Sequence, residues 1–171
     1  MSELLDRIWA GWRSAYISGL VDAESGAGED GCLFCSLVAS DDAEALILER
    51  TERTFTVMNA FPYTSGHVMV APLRHVGEFE DLTVEEGAEM FAAAQRAVQA
   101  IKATSHPHGL NLGINLGRTA GAGVPGHVHL HALPRWNGDT NFMTTLAETR
   151  MLPEALPATY EKVKKAWPSD G

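Results

Sequence analysis

His127-Val128-His129-Leu130-His131-Ala132-Leu133 is the stretch that decides how this 171-residue chain is read. Histidines alternate with apolar residues, and a period of two is the pattern of a half-buried strand. A strand over residues 127–133 sets His127, His129 and His131 in a row on one face. It turns Val128, Leu130 and Ala132 the other way, into a core. Three adjacent imidazoles are a poor packing surface, since burial strips each of its hydration and their protonated forms repel one another. Such a row points to metal binding or catalysis. The loop before it, Gly117-Arg118-Thr119-Ala120-Gly121-Ala122-Gly123-Val124-Pro125-Gly126, is rich in glycine. Glycines let backbone approach a ligand, and successive N–H groups in such loops form anion-binding concavities. Loop and histidines together fit a phosphate held beside a nucleophile.

Working outward, Leu46–Leu48, Thr54–Met58, His67–Ala71 and Gly109–Leu116 read as further strands by composition and bounding turns. Thr83 followed by Glu86 is a capping box that opens a long helix with apolar positions up to Ile101. The spacing of Leu4, Leu5, Ile8, Trp9, Trp12 and Tyr16 predicts an amphipathic helix over residues 3–17, followed by a loop over 19–31. A last helical stretch begins near Glu154. The pattern is one α+β unit with a mainly antiparallel sheet, one long helix packed on it and a C-terminal helix.

Composition bounds the function. Apolar residues make up 45% of the chain, charged residues 20%, and the net charge is −9. An acidic chain with a pI near 5.2 is not built to bind nucleic acid. No apolar run approaches the roughly 18 residues of a spanning helix. The first residues carry Glu3, Asp6 and Arg7 and do not read as an export signal. A soluble, cytoplasmic protein with no membrane partner is expected. Both cysteines lie in Cys32-Leu33-Phe34-Cys35, which by itself is half a metal site, a redox pair or an inert pair.

The segment 127–133 resembles the signature of the histidine-triad (HIT) family: His, apolar, His, apolar, His, apolar, apolar. Asn59, the run Gly66-His67-Val68-Met69-Val70-Ala71-Pro72 with His75 after it, and Asn115 are similar too. So is the tail Pro134–Met143, which looks like the branch of diadenosine tetraphosphate phosphorylases, as does the helix around Arg7–Arg13. The resemblance divides the chain into a HIT domain over 31–143, an N-terminal helix and loop over 1–30, and a C-terminal helical extension over 144–171, all within one globular unit. It implies a homodimer whose sheets join and a nucleotide substrate, a dinucleoside polyphosphate.

The resemblance gives His129 the role of nucleophile toward phosphorus, forming a nucleotidyl-histidine that water or phosphate then cleaves. His131 and the loop amides would stabilise the charge that builds on the phosphate oxygens. Asn115 joins them as a catalytic residue. Substrate contacts would fall on Asn59, toward the ribose, on Ala122, Gly123 and Val124, and on Arg135 and Trp136. At Ala122-Gly123 some branches carry Gln or Ser, so here backbone amides alone would serve. Arg135 either anchors phosphate or tethers the strand end. By the same resemblance Cys32, Cys35, His75 and His127 form a tetrahedral site for one structural zinc ion per chain. His67 reads as a structural strand residue. Two other functions compete: a metalloenzyme in which the histidines themselves hold the metal, and a nucleotide-binding regulatory module with little turnover.

Overall fold

The computed structural model describes residues 31–139 and 154–168. The expected helix over 3–17 and the remainder of the segment 1–30 lie outside these residues. So do 140–143 of the tail and 144–153 and 169–171 of the extension. The chain enters through a six-residue helix, α1 (Leu33–Val38). The sheet strands follow: β1 (Ile47–Arg50), β2 (Thr54–Met58) and β3 (Val68–Pro72). The capping box then opens α2 (Val84–Ser105), with the Thr83 side chain accepting from the Glu86 N–H and Glu86 reaching back to the Thr83 N–H. The last pieces are β4 (Gly109–Ile114), β5 (Leu130–Arg135) and α3 (Leu156–Lys165).

The sheet has five strands in the order β1-β2-β3-β5-β4, and every neighbouring pair is antiparallel. The α+β expectation holds, with its long helix on one face. That face is shaped by small residues. Ala93, Ala94, Ala97 and Ala100 recur at helical spacing with Met90 and Ile101, all buried, so α2 lies close against the sheet. Val128 and Leu130 pack with Met90, Ala93 and Ala94, and Ala132 packs with Ala97, Ala100 and Ile101. The opposite face carries Phe55, Val57, Met69 and Ala71, covered by Phe34 of α1 and by Val124. At the β1 edge α3 is fastened by Tyr160, whose hydroxyl donates to the Ile47 carbonyl at 3.2 Å. Lys164 Nζ donates to the Leu48 carbonyl at 2.6 Å.

One strand starts later than the alternation predicts. Ladder pairing of β5 with β3 begins at Leu130 opposite Val70, not at His127. β3 closes on Pro72, which has no N–H to extend a ladder. The chain before Leu130 sends its bonds elsewhere: the Val128 N–H donates to the Val76 carbonyl at 2.8 Å, and the His127 N–H to the Val124 carbonyl. The alternation of faces survives, because the extended backbone does. β4 likewise ends at Ile114 rather than Leu116.

The crossing of 75–77 over 126–128 depends on a missing side chain. A Cβ on Gly77 would lie 3.3 Å from the backbone of Gly126, which cannot step aside. Gly77→Ala is expected to destabilise the fold by about 1–3 kcal/mol. Gly87→Ala is its control: it lies in α2 with nothing within 4 Å of the added carbon, and should stabilise by up to about 1 kcal/mol. Denaturant melts of the two variants check the pair, and equal effects in the same direction would contradict the argument.

Candidate active site and metal cluster

His129 stands one residue ahead of the β5 ladder. Its Nδ1 lies 2.7 Å from the His127 carbonyl oxygen. A carbonyl only accepts, so Nδ1 carries the proton and Nε2 holds the lone pair. Burial pushes the pKa of this imidazole below its ordinary value, against the opposing pull of the His127 carbonyl. The ring is 4% exposed and sits in a slot. Phe34 lies 4.7 Å away between centroids, tilted by 40°, and His131 makes a T-shaped contact at 4.8 Å. The result is a neutral imidazole with a directed lone pair.

His131 is oriented through a chain of bonds that starts from an unambiguous donor. The Tyr63 backbone N–H donates to His67 Nδ1 at 3.2 Å, and Asn59 Nδ2 approaches the same nitrogen at 3.1 Å. His67 Nδ1 is therefore an acceptor, and in the neutral ring Nε2 carries the hydrogen. That Nε2–H donates to His131 Nδ1 at 2.9 Å, which leaves the neutral His131 ring with its own proton on Nε2. The neighbouring rings thus have opposite polarity: His129 presents a lone pair and His131 an N–H. Tyr63 stacks beside both His67 and His131, at 4.8 and 5.9 Å. Asn59 also takes the Phe61 N–H on Oδ1 at 2.9 Å, an Asx-type turn, so its side chain braces the loop that carries Tyr63. His67 is wholly buried and, among the described residues, its ring is not one of the converging cysteine and histidine ligands.

The first histidine of the row faces other partners. His127 Nε2 donates to the Pro72 carbonyl at 2.9 Å, which leaves Nδ1 as an acceptor. Cys32 Sγ lies 3.3 Å from that Nδ1 and Cys35 Sγ 3.7 Å, while Cys35 Sγ is 3.4 Å from His75 Nδ1. The ligating atoms of Cys32, Cys35, His75 and His127 all lie within 4.8 Å of one another. A tetrahedral zinc with the usual Zn–S and Zn–N bonds needs sulfur and nitrogen roughly 3.6 Å apart. The donor set, its spacing and the carbonyl behind His127 therefore fit such an ion. Burial takes His127 down to about 4, which keeps it in the neutral form that a ligand requires. Among the described residues this is the group whose metal-ligating atoms converge. It takes in His127 alone of the three histidines, which removes the geometric basis for a metal held by all of them.

The other expected residues divide. Asn115 lies at the loop, its Nδ2 donating to the Gly121 carbonyl at 3.4 Å. Of the Ala122, Gly123 and Val124 amides, that of Ala122 is spent on the Gly117 carbonyl at 3.2 Å. Arg135 is four residues beyond His131, about 13 Å along the strand. Its guanidinium is committed to Asp139, with Nη2 at 2.8 Å from Oδ1, and to Asn111 at 2.8 Å. The Trp136 N–H turns to the same Asp139 carboxylate at 3.2 Å. Of the two readings of Arg135, the observed contacts are those of a strand-end tether. Phe34 and Tyr63 were not singled out by sequence; each is a lone aromatic in a turn or short helix, with no periodicity to mark it.

A family model for the HIT domain matches residues 40–138. The chain is 38% identical over 168 residues to AP-4-A phosphorylase of Mycobacterium tuberculosis, covering 96% of this chain and 86% of that protein. It is 33% identical to bis(5'-adenosyl)-triphosphatase of Dictyostelium discoideum over 67% of this chain and 76% of that one. Among solved structures, a Zn-bound histidine triad family protein from Mycobacterium smegmatis superposes with a TM-score of 0.67 at 32% identity, covering 81% of this chain and 94% of that one.

The depressed pKa of His129 fixes the sign of two pH effects. Unfolded, the ring titrates near its ordinary value of 6.5, while the folded ring resists protonation. Below pH 6.5 the unfolded chain takes up a proton that the folded chain refuses, so stability falls as the pH drops. The lone pair also persists below 6.5, which places the acid limb of kcat/KM under that value. Thermal melts and pH–rate profiles read both, and an acid limb above 6.5 would contradict the geometry.

Proposed function

This chain belongs to the HIT domain family, and on that premise we propose that it cleaves dinucleoside polyphosphates, diadenosine tetraphosphate among them, through a nucleotidyl-His129 intermediate. The observation that carries the reading is the bond from His129 Nδ1–H to the His127 carbonyl, which leaves Nε2 as the attacking lone pair. Nε2 attacks the α-phosphorus, the P–N bond forms, and the bond from that phosphorus to the bridging oxygen breaks. The remaining nucleoside triphosphate leaves. Phosphate or water then displaces His129 from phosphorus, so one difficult step becomes two easier ones. The His131 Nε2–H is a donor suited to an oxygen that gains charge, and the Gly123 and Val124 amides, beside Asn115, are suited to the neighbouring oxygens. Asn59 would meet the ribose, while Arg135 and Trp136 would act by shaping the far end of the strand.

The Cys32, Cys35, His75 and His127 set would hold one zinc ion. Bound there, zinc supplies folding energy rather than a reactive group, since the set fills all four tetrahedral positions. A homodimer is supported by β4, an edge strand among the described residues whose Leu112 is exposed; pairing with a second copy would cover that edge. Among the described residues no helix is long and apolar enough to cross a membrane, in keeping with the cytoplasmic location we propose.

His129→Ala should lower turnover by on the order of 10³-fold or more. Wild-type protein should convert diadenosine tetraphosphate to adenosine triphosphate plus adenosine diphosphate when inorganic phosphate is present, and to triphosphate plus monophosphate when it is not. Chromatography of the products separates the routes. Diphosphate that never appears would make the protein a hydrolase, and an alanine variant with near-normal turnover would overturn the mechanism.

Leu112→Lys places a charge on the edge that β4 offers to a second copy. Light scattering should then report a monomer where the unaltered chain gives twice the mass, with the melting temperature of the monomer lowered. An unaltered chain that is monomeric at micromolar concentration refutes the dimer.

A further inference from the structure

His129 lies ahead of the paired ladder, which begins with Leu130 opposite Val70, so side chains and one carbonyl must hold its ring in place. They are the His127 carbonyl at 2.7 Å, the His131 ring in a T-shaped contact and the tilted ring of Phe34. Two of the three belong to the cysteine–histidine cluster's own segments. Phe34 stands between Cys32 and Cys35, and His127 is itself a member of the converging set.

We propose that the Cys32–Cys35 segment positions the His129 imidazole, with Phe34 as the positioning residue that transmits metal occupancy to the nucleophile. This rests on the reading of His129 and of the zinc set given above. α1 has six residues, no side-chain bond at its N-cap and no acidic residue in its first turn. A helix that short does not persist alone. What places it is the burial of Phe34 against Phe55, at 6.2 Å, and the approach of both sulfurs to His127 and His75. A metal ion held by Cys32, Cys35, His75 and His127 would replace those sulfur–nitrogen approaches with bonds and so fix α1 to the segment that carries His127. The Phe34 ring, 1% exposed, lies over two imidazoles at once: 5.2 Å from His127 and 4.7 Å from His129. α1 therefore cannot shift without uncovering His129. His127 works in parallel: its Nδ1 faces the sulfurs and its carbonyl holds His129 Nδ1–H, so one residue borders both the cluster and the nucleophile. Displacement of a reacting atom by about 1 Å can cost up to about 10²-fold in rate, and the linkage acts on that scale.

The test uses the full chain loaded with zinc, Phe34→Leu, and wild-type protein stripped by a chelator. It reads metal content by elemental analysis, the His129 Nδ1–H proton resonance (assigned by its loss in His129→Ala), and kcat and KM with diadenosine tetraphosphate. F34L is expected to keep about one zinc per chain and to shift or broaden that resonance. Its kcat should fall about tenfold while KM changes less than about twofold. Stripping zinc from wild type should perturb the same resonance, and added zinc should restore it. If stripping unfolds the chain, F34L decides alone; if F34L lacks a melting transition, Phe34→Met, which keeps more volume, is read in the same way. A zinc-loaded variant whose resonance stays as sharp as in wild type and whose kcat is unchanged overturns the role of Phe34, and a wild-type chain that binds no zinc overturns the metal link. Absence of any cleavage by wild type removes the proposed activity instead, while the resonance still reports whether the linkage exists.

Discussion

The hydrogen bond from His129 Nδ1 to the peptide oxygen of His127 is the constraint on which the site turns, and it is a local one, spanning two residues of extended backbone. It chooses the tautomer. Without it an imidazole of ordinary pKa exposes either nitrogen and is partly protonated near neutrality. With it, and with burial behind it, one nitrogen is reserved as a lone pair. The same residue that offers the carbonyl donates its own Nε2–H to Pro72 and turns Nδ1 toward the cysteines. Backbone and side chain of His127 thus serve two sites at once.

The sheet makes this arrangement possible by keeping its two faces apart. Alanines along α2 let the helix settle on Val128, Leu130 and Ala132, which leaves the histidines no choice of side. On their own side the histidines are not solvated; they are enclosed by Phe34, Tyr63 and His67. Enclosure serves the chemistry, because neutral rings in a low-dielectric slot hold fixed donors and acceptors at little further cost when charge develops on a phosphate. Polarity is then assigned ring by ring. The Tyr63 amide makes His67 a donor toward His131, and the His127 carbonyl makes His129 a donor at Nδ1.

Signals that act over a few residues were legible in the sequence. Thr83 and Glu86 announce the start of α2 because a capping box closes within one turn, and the row at 127, 129 and 131 announces its face because alternation is a property of extended backbone. The ladder's true start at Leu130 was not legible, since it depends on Pro72 and Val76, which lie on other segments. The same holds for Arg135. Its sequence left a phosphate anchor and a strand-end tether both open, and the bond to Asn111, 24 residues away, is visible only in the fold. His67 had no neighbour in sequence to show that its ring would meet His131, 64 residues away.

By itself the sequence determined the α+β class, the capping box of α2, the core-facing side of the segment 127–133, and the family with its row of histidines. These follow from periodicity, caps and a contiguous signature, all encoded within a few residues. The resemblance named Cys32, Cys35, His75 and His127 together, while the tertiary structure alone decided which tautomer each ring adopts, how closely those four ligands approach, and that Phe34 lies against His129. Each of these needs groups tens of residues apart to meet at 3 to 5 Å, and no local pattern states which distant donor will arrive.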